Sequence, residues 1–233
     1  MTTPLLVFDL DGTLAETAPD LSATLNEILA REGLRPVPYG TARKMIGGGA
    51  RLMIERGLAH GGAHVSNERV DQLFEDFLTH YEAHIADAST LFPGVVAALD
   101  RFEEAGWRFA VCTNKIEQSS ILLLKALGIA DRFAVICGKE TFPVSKPDRR
   151  ALLMTIEKAG GNHKNTIMVG DSKVDIETAR NAGVPVIAVD FGYTDRPVTT
   201  YAPNRVISHF DDLWDTVADI HKRSDLPHRR SVP

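Results

Sequence analysis

The stretch of sequence that decides the fold lies near the start of the chain, where residues 5–14 read LLVFDLDGTL. The apolar run Leu5–Phe8 is short and carries branched and aromatic side chains, which predicts a buried strand. Asp9 and Asp11 follow it, and the alternation of side chains along an extended chain places both carboxylates on the same side. Two carboxylates this close repel each other, which favours a shared proton or a bound cation. A strand followed by an ordinary Asp-Gly turn shows the same short pattern, so this stretch alone leaves its chemistry open.

Further short apolar runs, bounded by Gly, Asp, Asn or Pro, favour strands over buried helices. We predict these strands at residues 109–112, 133–137, 166–169 and 184–189. Helical periodicity alternates with them at residues 95–105, 116–127, 149–159 and 174–182, and a glycine follows each helical segment. This alternation predicts an α/β fold: a Rossmann-like, doubly wound parallel sheet covered by helices on both faces.

Residues 18–86 break this alternation, because they contain amphipathic helical stripes and no strand pattern. The stripes are Leu21, Leu25, Ile28 and Leu29; Met45, Leu52, Met53 and Leu58; and Val70, Leu73, Phe74, Phe77 and Tyr81. We therefore expect a small helical cap at 18–86, inserted into a catalytic core formed by residues 1–17 and 87–222. Residues 223–233 are basic and lack apolar periodicity, which predicts a mobile tail.

The composition is that of an ordinary soluble protein, with 233 residues, 44% hydrophobic and 24% charged. The formal net charge of −5 argues against a general nucleic-acid binder, which normally needs a basic face. The apolar runs are too short for a signal peptide or a membrane span, and the two cysteines show no metal-ligand spacing. We therefore expect a cytoplasmic protein without membrane partners, as a monomer or a homodimer.

Polar residues suited to bind phosphate or a metal ion follow three more of the predicted strands. Thr113 and Asn114 offer a hydroxyl and an amide that suit phosphate oxygens, although both residues also cap helices. Lys146 offers a charge that neutralises a phosphoryl group, although most lysines are simply solvated. Asp171 and Asp175, spaced by four at a strand-to-helix turn, suit Mg²⁺, although Asp175 is also a favourable first-turn acid. Open α/β sheets bind ligands at the carboxyl ends of their strands, where all these residues are expected.

The motifs, in this order and spacing, resemble those of the haloacid dehalogenase superfamily of phosphotransferases. The residues that carry the resemblance are Asp9 to Leu14 for the first motif, Thr113-Asn114 for the second, Lys146 for the third, and Gly170-Asp171 with Asp175 for the fourth. The resemblance covers essentially the whole chain, from residue 5 to about residue 215. It implies that Asp9 is the nucleophile that forms an aspartyl phosphate, and that Asp11 acts first as an acid and then as a base.

The resemblance also implies a cofactor and a partner, namely Mg²⁺ and a small phosphorylated metabolite. Mg²⁺ would be held by Asp9, the Asp11 carbonyl and Asp171, with Asp175 as a ligand or as support for the ligands. The phosphoryl oxygens would be bound by Thr113, Asn114 and Lys146. The second acid, Asp11, argues against the dehalogenating branch of the superfamily, which lacks it.

The helical insertion is similar to the small cap of the phosphoglycolate phosphatases, pyrophosphatases, β-phosphoglucomutases and phosphonoacetaldehyde hydrolases. The sequence most resembles the phosphoglycolate phosphatases at residues 14–20, 46–50, 113–115, 191–193 and 209–213. This resemblance implies Mg²⁺-dependent hydrolysis of 2-phosphoglycolate or a similarly small phosphomonoester. A sugar phosphate mutase of the β-phosphoglucomutase kind and a pyrophosphatase stay as alternatives.

The cap sequence offers candidate contacts for the carboxylate of such a substrate: Arg43, Lys44, Gly48, Gly49 and Arg51. The amides of the run 47–49 can form an anion-binding nest, although a flexible turn between helices explains the glycines equally well. The three basic side chains are also typical of a solvated helix face.

Overall fold

A computed structural model describes residues 3–194 and 196–224. In chain order the strands are β1 (Leu5–Phe8), β2 (Ala15–Glu16), β3 (Thr90–Leu91), β4 (Arg108–Cys112), β5 (Phe133–Cys137), β6 (Thr166–Gly170), β7 (Val186–Val189) and β8 (Arg205–Ile207). Within the described residues six of them form one sheet in the order β5-β4-β1-β6-β7-β8, and every pair in it is parallel. The predicted α/β fold with a doubly wound parallel sheet is confirmed.

The helices lie between and around these strands. They are α1 (Ala18–Arg31), α2 (Tyr39–Ala42), α3 (Ala50–His60), α4 (Asn67–Ala83), α5 (Val95–Glu104), α6 (Glu117–Ala126), α7 (Arg149–Lys158), α8 (Lys173–Ala182) and α9 (Leu213–Ser224). Among the described residues, no helix combines the length and the apolar character needed to cross a bilayer.

Strand β1 occupies the middle of the sheet, between β4 and β6. Leu6 and Phe8 pack into the apolar cluster on one face, and Leu5 and Val7 pack into the cluster on the other. This distribution follows from the two-residue period of a strand, and it explains why a strand buried on both faces is a continuous apolar run.

Three strands were not predicted from the sequence. Strand β8 lies at the edge of the sheet and contains Arg205, so it lacks the apolar run that marks the other strands. Strands β2 and β3 have two residues each and pair antiparallel, with Ala15 opposite Leu91 and Glu16 opposite Thr90. They bring together the two places where the chain passes between the sheet and helices α1–α4.

Helices α1–α4 enclose an apolar core of their own, distinct from the two clusters on the faces of the sheet. Fully buried side chains in it include Leu25, Ile28, Ile54, Leu73 and Phe77. At the other end of the chain, α9 extends to Ser224, so the first two residues of the predicted tail are helical. The rest of that predicted tail, 225–233, lies outside the described residues.

Candidate active site

The candidate site lies at the carboxyl ends of the three central strands, β1, β4 and β6. Asp9 follows β1, Thr113 follows β4 and Asp171 follows β6. The Asp9 N–H donates to the Val169 carbonyl at 2.9 Å, so the sheet ladder continues into the first residue of the site. Strand order alone therefore brings together residues that are far apart in the sequence, as is typical of open α/β sheets.

Asp9 presents one engaged and one available carboxylate oxygen. Its Oδ1 accepts hydrogen bonds from the Leu10 N–H at 2.7 Å and lies 3.0 Å from the Lys146 Nζ. No described residue hydrogen-bonds to its Oδ2. Burial and the charge of Asp175 raise the pKa of Asp9 to about 6, although Lys146 opposes this rise. Asp9 is thus ionised near neutral pH and has an oxygen free to attack or to bind a cation.

Lys146 lies under the site, with 2% of its side chain exposed. Its Nζ is 3.0 Å from Asp9 Oδ1 and 2.6 Å from Asp175 Oδ1. Burial by itself lowers the pKa of this ammonium, but the charges of Asp175 and Asp9 outweigh that effect and raise the pKa above its ordinary value. Lys146 therefore stays protonated and supplies a fixed positive charge beside Asp9.

Three buried carboxylates, Asp9, Asp171 and Asp175, each offer an oxygen within 4.8 Å of the others. Burial, Asp175 and Asp9 together raise the pKa of Asp171 well above its ordinary value. When all three are ionised, the single ammonium of Lys146 leaves the cluster negative, which favours a bound cation. Since every donor is a carboxylate oxygen, the residues fit a hard divalent ion such as Mg²⁺.

Both oxygens of Asp175 already accept hydrogen bonds. Oδ1 accepts from Lys146, and Oδ2 accepts from the N–H of Ser172 at 3.0 Å and from its hydroxyl at 2.6 Å. Ser172 and Asp175 form a capping box that starts helix α8. Asp175 thus holds Lys146 and the turn that carries Asp171.

Asp171 is held by the backbone on two sides. The Tyr193 N–H donates to its Oδ2 at 2.5 Å. Gly12, with φ of +82°, allows the turn after β1 to pass so close that a Cβ there would lie 2.5 Å from the same oxygen. At Gly192, a Cβ would lie 2.2 Å from the Asp171 Cβ. The glycines on both sides therefore permit the approach of three chain segments around one carboxylate.

The hydrogen-bond partners of Asp11 lie outside this carboxylate cluster. Its Oδ1 accepts a hydrogen bond from the Thr17 hydroxyl at 2.8 Å and lies 3.2 Å from the Lys115 Nζ. The Lys115 side chain is only 6% exposed, and its Nζ also donates to the Tyr81 hydroxyl of helix α4 at 2.8 Å. Burial lowers the pKa of Lys115, but the nearby Asp11 and Tyr81 reverse that effect and raise the pKa.

Lys115 was not among the predicted site residues. A lysine directly after the predicted pair of phosphate-binding residues is the only signal in the sequence, and it is a weak one because most lysines are solvated. What the sequence does not reveal is that Tyr81, on a distant helix, covers the ammonium.

Thr113 and Asn114 also line the cavity between the sheet and helices α1–α4. The Thr113 hydroxyl accepts from the Lys115 N–H at 3.2 Å and keeps its own proton for donation. The Asn114 side chain donates to the Lys146 carbonyl at 3.1 Å, which ties the second and third motifs together.

The cavity has a volume of about 40 Å³, which is space for a few water molecules. On the sheet side it is lined by Asp9, Asp11, Thr113, Asn114 and Lys115. On the helical side the lining is largely apolar and includes Met53, Phe77 and Tyr81, together with Gly47 and Gly49. The polar groups of the sheet side therefore face a small space whose opposite wall is largely apolar.

The structure separates the five candidate cap contacts. Gly49 lines the cavity, together with its neighbour Gly47, whereas Gly48, Arg43, Lys44 and Arg51 do not. A Cβ at Gly48 would collide with the Leu52 side chain, so this glycine is in contact with helix α3. Lys44 is exposed.

The two arginines have partners elsewhere. Arg43 donates to the Phe191 carbonyl at 2.8 Å, and its guanidinium lies 4.7 Å from the centre of the Tyr193 ring. Arg51 lies 3.2 Å from Glu55 and is also paired with Asp71. These contacts direct both guanidinium groups away from the cavity.

Comparison with known proteins agrees with this geometry. The family model described as haloacid dehalogenase-like hydrolase matches residues 6–189. A phosphoglycolate phosphatase of Mesorhizobium japonicum is 48% identical over 219 residues, covering 94% of this chain and 96% of the relative. A phosphoglycolate phosphatase of Agrobacterium fabrum is 47% identical over 210 residues, covering 90% of each chain.

Similarity extends to solved structures. A protein described as a predicted phosphoglycolate phosphatase from Haemophilus somnus 129PT has a TM-score of 0.87 and 27% identity, over 93% of this chain and 99% of that one. With the same sheet, and with relatives that match along nearly its entire length, the chain belongs to the haloacid dehalogenase-like hydrolase family and is one of its phosphatases.

Proposed function

We propose that the protein is a Mg²⁺-dependent phosphatase that hydrolyses 2-phosphoglycolate, or a similarly small phosphomonoester, through an aspartyl phosphate. The observation that carries this proposal is the set of contacts made by the two carboxylate oxygens of Asp9. One oxygen is held by Lys146 and the Leu10 N–H, no described residue hydrogen-bonds to the other, and Asp11 lines the same cavity. Relatives at 47–48% identity that are named phosphoglycolate phosphatase support the substrate.

In the first half of the reaction, Asp9 Oδ2 attacks phosphorus and the bond to the leaving oxygen breaks. Asp11 acts as the acid and gives a proton to that oxygen, so that the alcohol leaves neutral. Thr113, Asn114 and Lys146 are close enough to the site to hold the phosphoryl oxygens, and phosphoryl transfer depends mostly on such positioning and charge neutralisation.

In the second half, Asp11 accepts a proton from water, whose oxygen attacks the phosphorus of the aspartyl phosphate. The bond between phosphorus and Asp9 breaks, inorganic phosphate forms, and the carboxylate of Asp9 is restored. Dividing the hydrolysis into these two steps lets one acid-base residue serve both.

We propose that Asp9, Asp171 and the Asp11 carbonyl hold Mg²⁺, with Asp175 supporting them through Lys146 and the α8 turn. Bound there, Mg²⁺ supplies positive charge that offsets the repulsion between the phosphate and the buried carboxylates. We further propose that residues 18–86 act as a cap that excludes water over the site.

The lining of the cavity favours a phosphatase over a sugar phosphate mutase. Its largely apolar helical side offers few partners for the hydroxyl groups of a sugar. Both cysteines are free and buried, which agrees with the cytoplasmic location that we propose.

A substrate panel tests the proposal. With Mg²⁺ present, kcat/KM is measured for 2-phosphoglycolate, glucose 6-phosphate, a nucleoside monophosphate and pyrophosphate. We expect 2-phosphoglycolate to give the highest value. Faster turnover of pyrophosphate or of a sugar phosphate overturns the proposed substrate, and conversion of β-glucose 1-phosphate to glucose 6-phosphate without phosphate release identifies a mutase instead.

A further inference from the structure

Lys115 is a buried cation that the proposed reaction does not yet use. Its Nζ lies between the sheet and the cap, 3.2 Å from Asp11 Oδ1 and 2.8 Å from the Tyr81 hydroxyl. The ammonium also lies 4.2 Å from the centre of the Tyr81 ring. Because Tyr81 belongs to helix α4, the position of this ammonium depends on where the cap sits.

Three acceptor atoms surround the Lys115 ammonium. An ammonium has three N–H donors, and here they face the Tyr81 hydroxyl at 2.8 Å and Asp11 Oδ1 and Oδ2 at 3.2 and 3.4 Å. The contact with Asp11 Oδ2 is long. Since Lys115 lines the cavity, a carboxylate bound there can take this donor while Asp11 Oδ1 keeps its bond to the ammonium.

Lys115 is also the only cationic side chain, among the described residues, that lines the cavity. Lys146 lies beneath it, engaged by Asp9 and Asp175. Arg43 and Arg51 have partners elsewhere, as described above. A carboxylate on the leaving group thus has one cationic side chain to meet in the cavity, while Lys146 beneath it is the one proposed to hold the phosphoryl oxygens.

Lys115 lies where the leaving group of the substrate is expected. Asp11, as the acid that protonates the leaving oxygen, must lie beside that oxygen. Its ion-pair partner Lys115 therefore lies beside the leaving group as well. In 2-phosphoglycolate the carboxylate is attached to the carbon that bears the leaving oxygen, so it falls within the same region.

We propose that Lys115 is the specificity-determining residue of the cavity, whose ammonium binds the carboxylate of a small acidic phosphomonoester while its contact with Asp11 orients that acid. This inference rests on the proposed function and names the residue that recognises the carboxylate of the substrate. The bond to Tyr81 places the ammonium when the cap covers the site, so recognition of the carboxylate and closure are linked.

The test compares two substrates that differ in one group. 2-Phosphoglycolate carries the carboxylate, and 2-hydroxyethyl phosphate replaces it with a neutral CH₂OH group while keeping a similarly poor leaving group. The readout is the ratio of their kcat/KM values in wild type, Lys115→Met and Lys115→Gln. Lys125→Met is the matched control, because it removes an exposed lysine from the same region of the chain without touching the site.

We expect wild type and Lys125→Met to prefer 2-phosphoglycolate, and both Lys115 variants to lose about 10- to 100-fold of that preference, the range for one charged hydrogen bond. We expect the loss to show in KM more than in kcat, whereas a residue that only positions Asp11 would lower kcat for both substrates. Lys115→Gln keeps a hydrogen-bond donor, so it provides the measurement if Lys115→Met does not fold.

Two results overturn the inference in distinguishable ways. If wild type prefers 2-phosphoglycolate and the Lys115 variants keep that preference, the proposed function stands and the role of Lys115 is wrong. If wild type itself shows no preference, the proposed substrate fails, and the inference fails with it.

Discussion

At the scale of single residues, Asp9 has the most demanding of the proposed roles. We expect Asp9→Asn to lower kcat by more than about 10³-fold, because the amide is nearly isosteric but cannot attack phosphorus as a carboxylate does. Steady-state kinetics with 2-phosphoglycolate and p-nitrophenyl phosphate measure the loss, and thermal unfolding checks that the fold is intact. Activity near the wild-type value in a folded variant would contradict the nucleophile assignment.

The raised pKa values of the carboxylate cluster predict how Mg²⁺ binding depends on pH. Burial and Asp175 raise the pKa of Asp9 to about 6 in the folded chain. A raised carboxyl pKa means that the folded state binds the proton more tightly, so stability without metal falls as pH rises from about 4 to about 6. Metal ligands must be deprotonated. Mg²⁺ therefore stabilises the protein most above that pH window, where the carboxylates are ionised and repel one another.

We therefore expect Mg²⁺ to raise Tm by several degrees at pH 7.5 and by much less at pH 5. Differential scanning fluorimetry with Mg²⁺, and with chelator as the control, measures the difference. An equal rise in Tm at both pH values would mean that the cluster does not bind the ion.

At the scale of elements, the turn after β1 depends on a glycine for two reasons. Gly12 has φ of +82°, and a Cβ there would lie 2.5 Å from Asp171 Oδ2. Gly128 shares the positive φ, at +74°, but a Cβ there would meet nothing within 4 Å. Comparing alanine substitutions at these two glycines therefore separates the effect of backbone strain from the effect of displacing the Asp171 carboxylate.

We expect Gly12→Ala and Gly128→Ala each to lose about 1–2 kcal/mol of stability from strain. Only Gly12→Ala should also lose turnover, by at least about tenfold, because Asp171 must move. Urea unfolding and steady-state kinetics on both variants provide the measurements. Full activity in Gly12→Ala would show that the position of Asp171 is not critical.

Element boundaries also show where local patterns are sufficient. The predicted strands 109–112 and 166–169 differ from β4 and β6 by one residue at one end, because each run is apolar and ends at a polar residue or glycine. The predicted strand 184–189 begins two residues later in the structure, at Val186, since the Val184 N–H is bound to the Ala179 carbonyl of helix α8 and Pro185 has no N–H to donate to the sheet.

At the scale of the whole molecule, the separate apolar cores predict that a core substitution increases hydrogen exchange mainly in the part of the molecule that contains it. Leu73 is fully buried among helices α1–α4, and Leu152 is fully buried against the sheet. We expect either substitution by alanine to cost about 2–5 kcal/mol. We also expect Leu73→Ala to raise hydrogen exchange mainly in α1, α3 and α4, and Leu152→Ala to raise it in the sheet.

Hydrogen exchange followed by mass spectrometry measures both patterns on full-length protein. If Leu73→Ala loosens β1 and β4 as much as the helices, the chain unfolds as one unit and residues 18–86 do not form a separate cap. Direct links between the two parts include the Tyr193 hydroxyl, which accepts from the Ala18 N–H at 2.9 Å, and the Lys115 ammonium, which donates to the Tyr81 hydroxyl at 2.8 Å.

The sequence by itself determined the class of the sheet and the positions at which reactive residues follow its strands. It could do so because these features are local: an apolar run makes a buried strand, a glycine ends a helix, and the carboxylates stand next to the strand that presents them. The structure confirms the fold, while the roles of Asp9 and Asp11 stay predictions.

Only the tertiary structure decided which charged side chains face the cavity. Lys115 meets Tyr81 across 34 residues, and Tyr193 meets Thr17 across 176 residues. Arg43 was a candidate from the sequence and Lys115 was not, but the Arg43 guanidinium is bound to the Phe191 carbonyl, whereas Lys115 lines the cavity. Whether a lysine or an arginine is solvated or held in a site depends on partners that folding brings from distant parts of the chain. Local sequence patterns do not reveal those partners.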